Sequence, residues 1–66
     1  MGKDNPKKGE IWTHRKTGIP YFVRDTVKAK IGGEWIDDGI IIYANGIGER
    51  YARPLADFLR NFYIPA

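Results

Sequence analysis

One histidine, no cysteine and no serine limit the chemistry available to this chain of 66 residues. His14 could act as a general acid or base, because a histidine side chain exchanges protons readily near neutral pH. The favoured interpretation is structural, with His14 partly buried at a strand end and hydrogen-bonded to the backbone. Because the common activated nucleophiles are missing, triad hydrolases are not expected, and we predict that the protein is not an enzyme.

Two further patterns have the composition of a ligand site without the required geometry. Asp37 and Asp38 are adjacent, so on an extended strand their carboxylates point to opposite faces and cannot share one ion. Such a pair is typical of a turn or a strand edge. Gly46 and Gly48 lack the third glycine, the following helix and the lysine of a phosphate-binding loop. One histidine without cysteine cannot form a common zinc site, so the sequence predicts neither a metal site nor a cofactor.

The overall charge is mildly basic. Eleven Lys and Arg against eight Asp and Glu leave a net charge of +3, with a pI near 9.4. This excess permits a nucleic-acid partner but is too small to argue for one alone. The N-terminus has no apolar segment of the signal-peptide type, and no stretch approaches the roughly 18 apolar residues of a membrane span. We therefore expect a cytoplasmic protein with no membrane partner.

A hairpin in residues 39–58 is the element around which the chain is organised. The run GIIIYA precedes Asn45-Gly46, and a second run ends before Pro54. Asn-Gly is the strongest short-range signal for a two-residue type I′ turn. With that loop, Tyr51 faces Ile40 on one side of the sheet. The other side then holds Ile41, Tyr43, Arg50 and Ala52.

Two strands are predicted before this hairpin. Residues 9–14 place Trp12 on one face, and residues 15–20 form a turn. Residues 21–31 alternate most regularly and predict a half-buried strand with a bulge or bend at Asp25. The apolar face of that strand comprises Tyr21, Val23, Val27, Ala29 and Ile31. Gly32-Gly33 then turns the chain, and the segment from Asp37 to Gly39 interrupts the returning strand.

The C-terminal segment predicts one short helix. Pro54 is typical of a first helical turn, and apolar residues recur at helical spacing at Leu55, Phe58, Leu59 and Phe62. Tyr63 and Ile64 are expected to close the sheet. Four to five antiparallel strands with one helical turn near the C-terminus describe a mainly β fold, a small SH3-like barrel. Residues 9–66 form this domain, and residues 1–8 are expected to be a flexible basic arm.

The order of short motifs resembles a known family. Trp12, His14, Lys16 and Gly18 form an aromatic-x-His-x-Lys-x-Gly pattern, and Ile42-Tyr43 and then Arg53-Pro54-Leu55-x-x-Phe58 follow it. Over residues 9–60 this arrangement resembles a family of small bacterial and phage proteins that share a domain of unknown function. The resemblance implies a compact β-rich module and no particular chemistry.

A basic face on the second strand is the best indication of a partner. Cations combined with an aromatic ring are typical of small barrels that bind nucleic acid, although exposed strands also carry Lys and Arg to block edge pairing. The predicted nucleic-acid-binding residues are Phe22, Arg24, Lys28, Lys30 and Arg50. The leading hypothesis is a non-enzymatic binding module that binds DNA or RNA, or that serves a nucleic-acid machine.

The alternative hypothesis is a protein-protein interaction module, such as a phage-encoded adaptor or inhibitor. Aromatic residues and Arg are enriched at such interfaces. The predicted interaction residues are Trp12, Trp35, Tyr43, Tyr51 and Arg53. Arg53 also has a structural interpretation, in which it ties the strand end to a carboxylate or a carbonyl while Pro54 and Leu55 seat the helix.

A third hypothesis is a small ribonuclease with His14 and an arginine near the scissile phosphate. The chain is short for that class of barrel. For the oligomeric state, we expect a monomer or a weak homodimer.

Overall fold

The computed structural model describes residues 5–36 and 38–65. Within these ranges seven strands and one helix follow one another, which confirms the predicted mainly β class. In chain order they are β1 (Ile11–His14), β2 (Pro20–Val27), β3 (Lys30–Ile31), β4 (Glu34–Trp35), β5 (Ile40–Ala44), β6 (Arg50–Pro54), α1 (Leu55–Asn61) and β7 (Phe62–Tyr63).

Five of these strands form one antiparallel sheet in the order β6-β5-β2-β1-β7. β5 is an internal strand, in agreement with its apolar residues on both faces. β3 and β4 form a separate two-stranded hairpin. In the part of the chain that the structure describes, β6 and β7 are the edges of the sheet and do not pair with each other. The sheet is therefore open there.

The described end of the predicted N-terminal arm is attached to the sheet. Pro6 is buried, and the backbone N–H of Lys7 donates to the Glu10 carboxylate at 2.8 Å. The N–H of Gly9 donates to the carbonyl of Val23 at 2.9 Å. Residues 1–4 of the arm lie outside the described residues. From Pro6 onward, the chain therefore belongs to the folded domain.

The hairpin of β5 and β6 differs from the predicted one in its loop and its register. Its loop spans residues 45–49, so Tyr43 pairs with Tyr51 and Ile40 pairs with Pro54. The predicted two-residue turn is therefore wrong, and the register differs by three residues. Because side chains alternate with a period of two, an odd shift moves every β6 side chain to the other face. Tyr51 consequently shares a face with Tyr43 and not with Ile40.

The side chain of Asn45 accounts for the longer loop. Its Oδ1 accepts the backbone N–H groups of Ile47 at 3.1 Å and Glu49 at 2.9 Å. Gly48 takes the positive φ, +91°, whereas Gly46 does not. An asparagine that bonds to the backbone of its own loop stabilises a wider turn than the tight type I′ turn.

The predicted strand of residues 21–31 ends earlier, at Val27. Its register with β5 shifts between Val23 and Asp25, which leaves Arg24 as the extra residue of a β-bulge, next to the predicted position. An extra residue reverses the alternation, so Val23 and Val27 point to opposite faces of the sheet. The prediction that they share one apolar face was wrong.

The β3–β4 hairpin stands apart from the sheet. Gly32 and Gly33 turn it with φ of +59° and +83°, as predicted. Ile31 is 66% exposed and so does not belong to the buried face expected for it. The hairpin rejoins the sheet at Asp38 and Gly39, whose positive φ values of 65° and 81° confirm the predicted interruption. Asp37 lies outside the described residues.

Helix α1 covers one face of the sheet, here named the inner face. The predicted helical spacing is confirmed for Leu55 and Phe58, which are buried, and for Leu59, which packs against the core. Phe62 was expected to continue this spacing, but the helix ends at Asn61 and Phe62 begins β7. The ring of Phe58 stacks on that of Phe62 at 4.3 Å, with an angle of 4° between the planes. β7 pairs with β1 and begins one residue before the predicted final strand. The core consists of Trp12, Val23, Ile41, Tyr43, Leu55, Phe58 and Phe62.

The opposite face, here named the outer face, carries several apolar residues that are only partly covered. Strand pairing places Ile11, Phe22 and Ala44 in one row across three strands. Val27 and Ile40 form a second row on the same side. The side chains of Ile11, Phe22 and Val27 are 47%, 37% and 40% exposed to solvent.

Among the described residues, no helix has the length and apolar character that a membrane span requires.

Candidate nucleic-acid interface

Two arginines and a phenylalanine border a depression on the outer face, here named the arginine depression. It has a volume of about 350 Å³ and lies between β2 and the β5–β6 loop. Its lining residues are Phe22, Arg24, Ala44, Asn45, Gly46, Gly48 and Arg50. None of these residues is acidic, so the two guanidinium groups favour an anionic ligand.

The pairing of three strands brings this site together. Phe22 pairs with Ala44, and Ala44 pairs with Arg50, so the three residues form one row across β2, β5 and β6. With neighbouring strands about 4.8 Å apart, this row spans roughly 10 Å. Ala44 is 4% exposed, so it is the buried member of this row and lines the depression with a small side chain. Arg24 joins the group because the bulge displaces it from the regular alternation.

The β5–β6 loop forms one wall of the depression and is held in place. Gly46 and Gly48 contribute backbone without side chains, so a ligand can approach the main chain closely. The carboxylate of Glu49 accepts bonds from Asn45 Nδ2 at 2.8 Å and from the Tyr51 hydroxyl at 3.1 Å. The bond to Glu49 raises the pKa of Tyr51. The carboxylate of Glu49, which follows the loop glycine Gly48, is thus engaged in the loop itself.

Neither Arg24 nor Arg50 forms an ion pair with a described residue. Both side chains are exposed. Arg53, by contrast, forms an ion pair with the Asp57 carboxylate at 2.7 Å. An arginine without a protein carboxylate keeps its donors available for a phosphate.

The other two predicted nucleic-acid-binding residues lie elsewhere. Lys28 lines a groove of about 700 Å³ at the base of the β3–β4 hairpin, here named the hairpin groove. Its lining residues are Thr26, Val27, Lys28, Trp35, Ile36, Asp38 and Gly39. Lys30 lies over the Trp35 ring, with Nζ 4.9 Å from the ring centroid. The expected single basic face is therefore divided in two, because the bulge and the separate hairpin interrupt the strand that would have carried it.

The predicted protein-interaction residues do not form one groove. Trp12 and Tyr43 are each 4% exposed and belong to the core, so they are not accessible at the surface. Trp35 and Tyr51 are 60% and 40% exposed, but Trp35 lines the hairpin groove whereas Tyr51 packs against Tyr43 on the inner face. Sequence periodicity did not reveal this because it does not show which face the helix covers.

Arg53 has the structural role that was weighed against a binding role. Its Nε donates to the Tyr43 hydroxyl at 2.7 Å, and its Nη1 donates to the Asp57 carboxylate at 2.7 Å. Its guanidinium carbon also lies 5.5 Å from the centroid of the Phe62 ring. The bond to Tyr43, and then the one to Asp57, raises the pKa of Arg53. The prediction that Arg53 ties the strand end to a carboxylate is confirmed.

His14 likewise has the predicted structural role. Its Nδ1 accepts the backbone N–H groups of Lys16 and Thr17, each at 3.3 Å, in the turn that follows β1. Its ring packs edge-on against Phe62 at 5.0 Å. His14 therefore orders the β1–β2 turn, as the structural interpretation required.

The Asn45 to Gly48 loop is the part of the site that sequence reasoning missed. It was interpreted only as a tight turn, whereas it forms a wall of the arginine depression. The spacing of Asn45 and Glu49 was the available signal, because an asparagine can bond to the backbone of its own loop.

Comparison of the chain with known protein families, curated proteins and solved structures finds no match.

Proposed function

We propose that the protein is a non-enzymatic module that binds nucleic acid through the arginine depression. The observation that carries this proposal is the convergence of Arg24 and Arg50 beside the exposed ring of Phe22, with no acidic residue in the lining. Phosphates are bound by arginine through paired N–H donors, and bases stack on aromatic rings. The depression offers both contacts within one volume of about 350 Å³.

The charge arrangement supports this proposal more than the net charge does. A charge of +3 spread over the surface attracts a polyanion only weakly. Two guanidinium groups that pair with no described carboxylate line one depression and give a local positive field there. Each phosphate contact of this kind contributes to a salt-dependent affinity.

We also infer that the fold is a small SH3-like barrel whose closure is incomplete in this structure. Two observations support the inference: the strand order β6-β5-β2-β1-β7, and the position of α1 between the two edge strands. In such a barrel the last strand returns to pair with the first, as β7 pairs with β1. Backbone hydrogen bonds between β6 and β7, detected in solution by NMR, would establish closure.

The proposed function is tested by titrating the protein with labelled DNA and RNA at several salt concentrations. We expect the double variant Arg24→Glu, Arg50→Glu to bind at least tenfold more weakly than the wild type. Loss of two phosphate contacts should also reduce the slope of log affinity against log salt by about 1.4 for a single strand. Fluorescence anisotropy gives both values.

A matched control has the same net charge as the double variant at the depression. Lys16→Glu with Arg60→Glu makes the same charge change in the β1–β2 turn and on α1, away from the depression. Both of these side chains are exposed. Equal loss of affinity in the two double variants would mean that charge alone drives binding, and the arginine depression would then have no special role.

A further inference from the structure

Building on the proposed function, we infer that the ligand is a single strand that runs along the outer face from the arginine depression to the hairpin groove. In this arrangement Phe22 stacks one base and Trp35 stacks another. Trp35 thereby becomes part of the nucleic-acid site, a role that its sequence position did not suggest.

The two sites are connected through β2. Two residues at the end of β2 line the hairpin groove: Val27, on the same outer face as Phe22, and Thr26, which pairs with Ile41 on the inner face. The groove therefore lies at the end of the sheet and is reached from the outer face past Val27. The β5 partners of Val27 and Phe22, which are Ile40 and Ala44, are four residues apart. At about 3.3 Å per residue the two rows are roughly 13 Å apart. This distance corresponds to about four stacked nucleotides at ~3.4 Å each.

Both ends of this path present an aromatic ring to solvent. Phe22 is 37% exposed and Trp35 is 60% exposed. Lys30 lies on the Trp35 ring, 4.9 Å from its centroid, and holds the indole by a cation–π contact. Lys28 lines the same groove and supplies a cation for a phosphate. An aromatic ring with neighbouring lysines is the combination that binds unpaired bases and their backbone.

The stacking surfaces favour a single strand over a duplex. Bases in a duplex are stacked on one another and show only their edges in the grooves. The rings of Phe22 and Trp35 can contact the flat face of a base only where it is unpaired. Helix α1, which is the element most suited to enter a major groove, packs on the inner face.

Two acidic residues limit where the phosphates of the bound strand can lie. Asp25 pairs with Ile42 and therefore lies on the outer face between the two sites, where its carboxylate accepts the N–H of Thr26 at 2.8 Å. Asp38 lines the hairpin groove, where its negative charge repels a phosphate. The phosphates should therefore follow Arg24, Arg50 and Lys28, with the bases toward the sheet. Removal of the negative charge in Asp25→Asn should tighten binding by about threefold.

The chain contains its own probe for this arrangement. It has two tryptophans, of which Trp12 is 4% exposed and Trp35 is 60% exposed. Quenching of tryptophan fluorescence by oligothymidylate therefore reports mainly on Trp35. At equal concentration we expect stronger quenching by an octamer than by a dinucleotide, because the dinucleotide is too short to fill both sites at once and so binds more weakly. A duplex of eight base pairs should bind at least fivefold more weakly than the octamer.

The decisive variant is Trp35→Ala. Loss of one base–aromatic stack should weaken binding of the octamer by roughly 5- to 150-fold. Ile31→Ala is the matched control, because Ile31 is 66% exposed on the same hairpin but does not line the groove. Trp35→Phe should retain most of the affinity, since the ring remains.

The outcomes separate this inference from the proposed function. If Trp35→Ala binds the octamer as tightly as the wild type while Arg24→Glu with Arg50→Glu does not, the path to the hairpin groove is wrong and the arginine depression remains. Equal affinity for duplex and octamer would also overturn the inference. If no oligonucleotide binds, both proposals fail, and the exposed Trp35 is then better explained by a protein partner.

Discussion

The two faces of the sheet are built from alternate residues of the same strands, yet they have opposite surroundings. On the inner face, the rings of Tyr43, Phe58 and Phe62 lie within 5.3 Å of one another, and α1 covers them. On the outer face, Phe22 and Val27 keep more than a third of their exposure. A contiguous exposed apolar face is a common feature of surfaces that contact another molecule, and this agrees with the binding role proposed above.

This contrast assigns different roles to residues of the same type. Arg53 on the inner side is held by Tyr43 and Asp57, whereas Arg50 on the outer side has no carboxylate partner among the described residues. The two arginines are three residues apart on one strand. An odd separation places them on opposite faces, so one stabilises the fold and the other is available to a ligand. Four measurements test this division, and they follow in order of decreasing effect.

The largest effect is expected from Phe58→Ala. Its side chain is 0% exposed, so truncation should lower the free energy of unfolding by about 3–5 kcal/mol. This is between about a third and all of the roughly 3–10 kcal/mol available to a domain of this size. Phe22→Ala, which makes the same change on the outer face, should cost less than about 1.5 kcal/mol. Urea denaturation followed by circular dichroism compares the two, and equal losses would break the distinction between the faces.

The next effect concerns Gly39, where the hairpin rejoins the sheet. A Cβ at this position would lie 2.7 Å from the carbonyl oxygen of Val27, and its φ is +81°. Gly33 has nearly the same φ, +83°, but a Cβ there meets nothing within 4 Å. Both alanine variants bear the strain of positive φ, about 1–2 kcal/mol. Gly39→Ala should lose a further 1–3 kcal/mol or so, because backbone must move.

Thermal unfolding of the two glycine variants isolates this close approach. A lower melting temperature for Gly39→Ala than for Gly33→Ala is the expected result. If the two variants melt together, then the contact between Gly39 and the end of β2 does not constrain the outer face.

A smaller effect is expected from Arg53→Ala. The variant removes the bonds to Tyr43 and Asp57, but the ion pair is partly exposed, with side-chain exposures of 32% and 38%. Solvent screening limits the loss to about 1 kcal/mol. Arg50→Ala, on the other face, should change stability by less than about 0.5 kcal/mol. Chemical denaturation distinguishes them, and Arg53→Lys should not restore the loss, because an ammonium lacks the planar fork.

The smallest effect expected is a loss of stability at low pH when the Glu10 carboxylate becomes protonated. Its carboxylate accepts the Trp12 Nε1–H at 3.0 Å and the Lys7 N–H at 2.8 Å, and these bonds lower its pKa from the ordinary value of 4.5. The stabilisation is therefore complete above pH 4.5 and is lost as pH falls through the lowered pKa. The denaturation midpoint of Glu10→Gln should fall less between pH 7 and pH 3 than that of the wild type. If the midpoints of the two proteins fall by the same amount, Glu10 does not contribute to the pH dependence of stability.

Several elements were predictable because their signals are local. Pro54 and the spacing of Leu55 and Phe58 predicted α1, and Gly32-Gly33 predicted the turn of the small hairpin. Each of these signals depends on a few neighbouring residues and their backbone preferences. The structural roles of His14 and Arg53 were predicted for the same reason, since their partners lie within ten residues along the chain.

The site was predicted only in part. Phe22, Arg24 and Arg50 were expected to lie together, and the structure brings them to one depression. Lys28 and Lys30 were expected beside them and lie at the hairpin instead. The alternation of the sequence could not show this, because one extra residue at Arg24 reverses the face of everything that follows.

The sequence by itself determined the mainly β class, the helix before the last strand and the positions of the main interruptions. The tertiary structure decided the faces: which rings α1 covers, and which arginines remain free of a described carboxylate. The physical reason is that side chains on a strand alternate with a period of two. A single bulge or a loop held open by one asparagine therefore exchanges the buried and exposed sets, although the local preferences of the chain are unchanged.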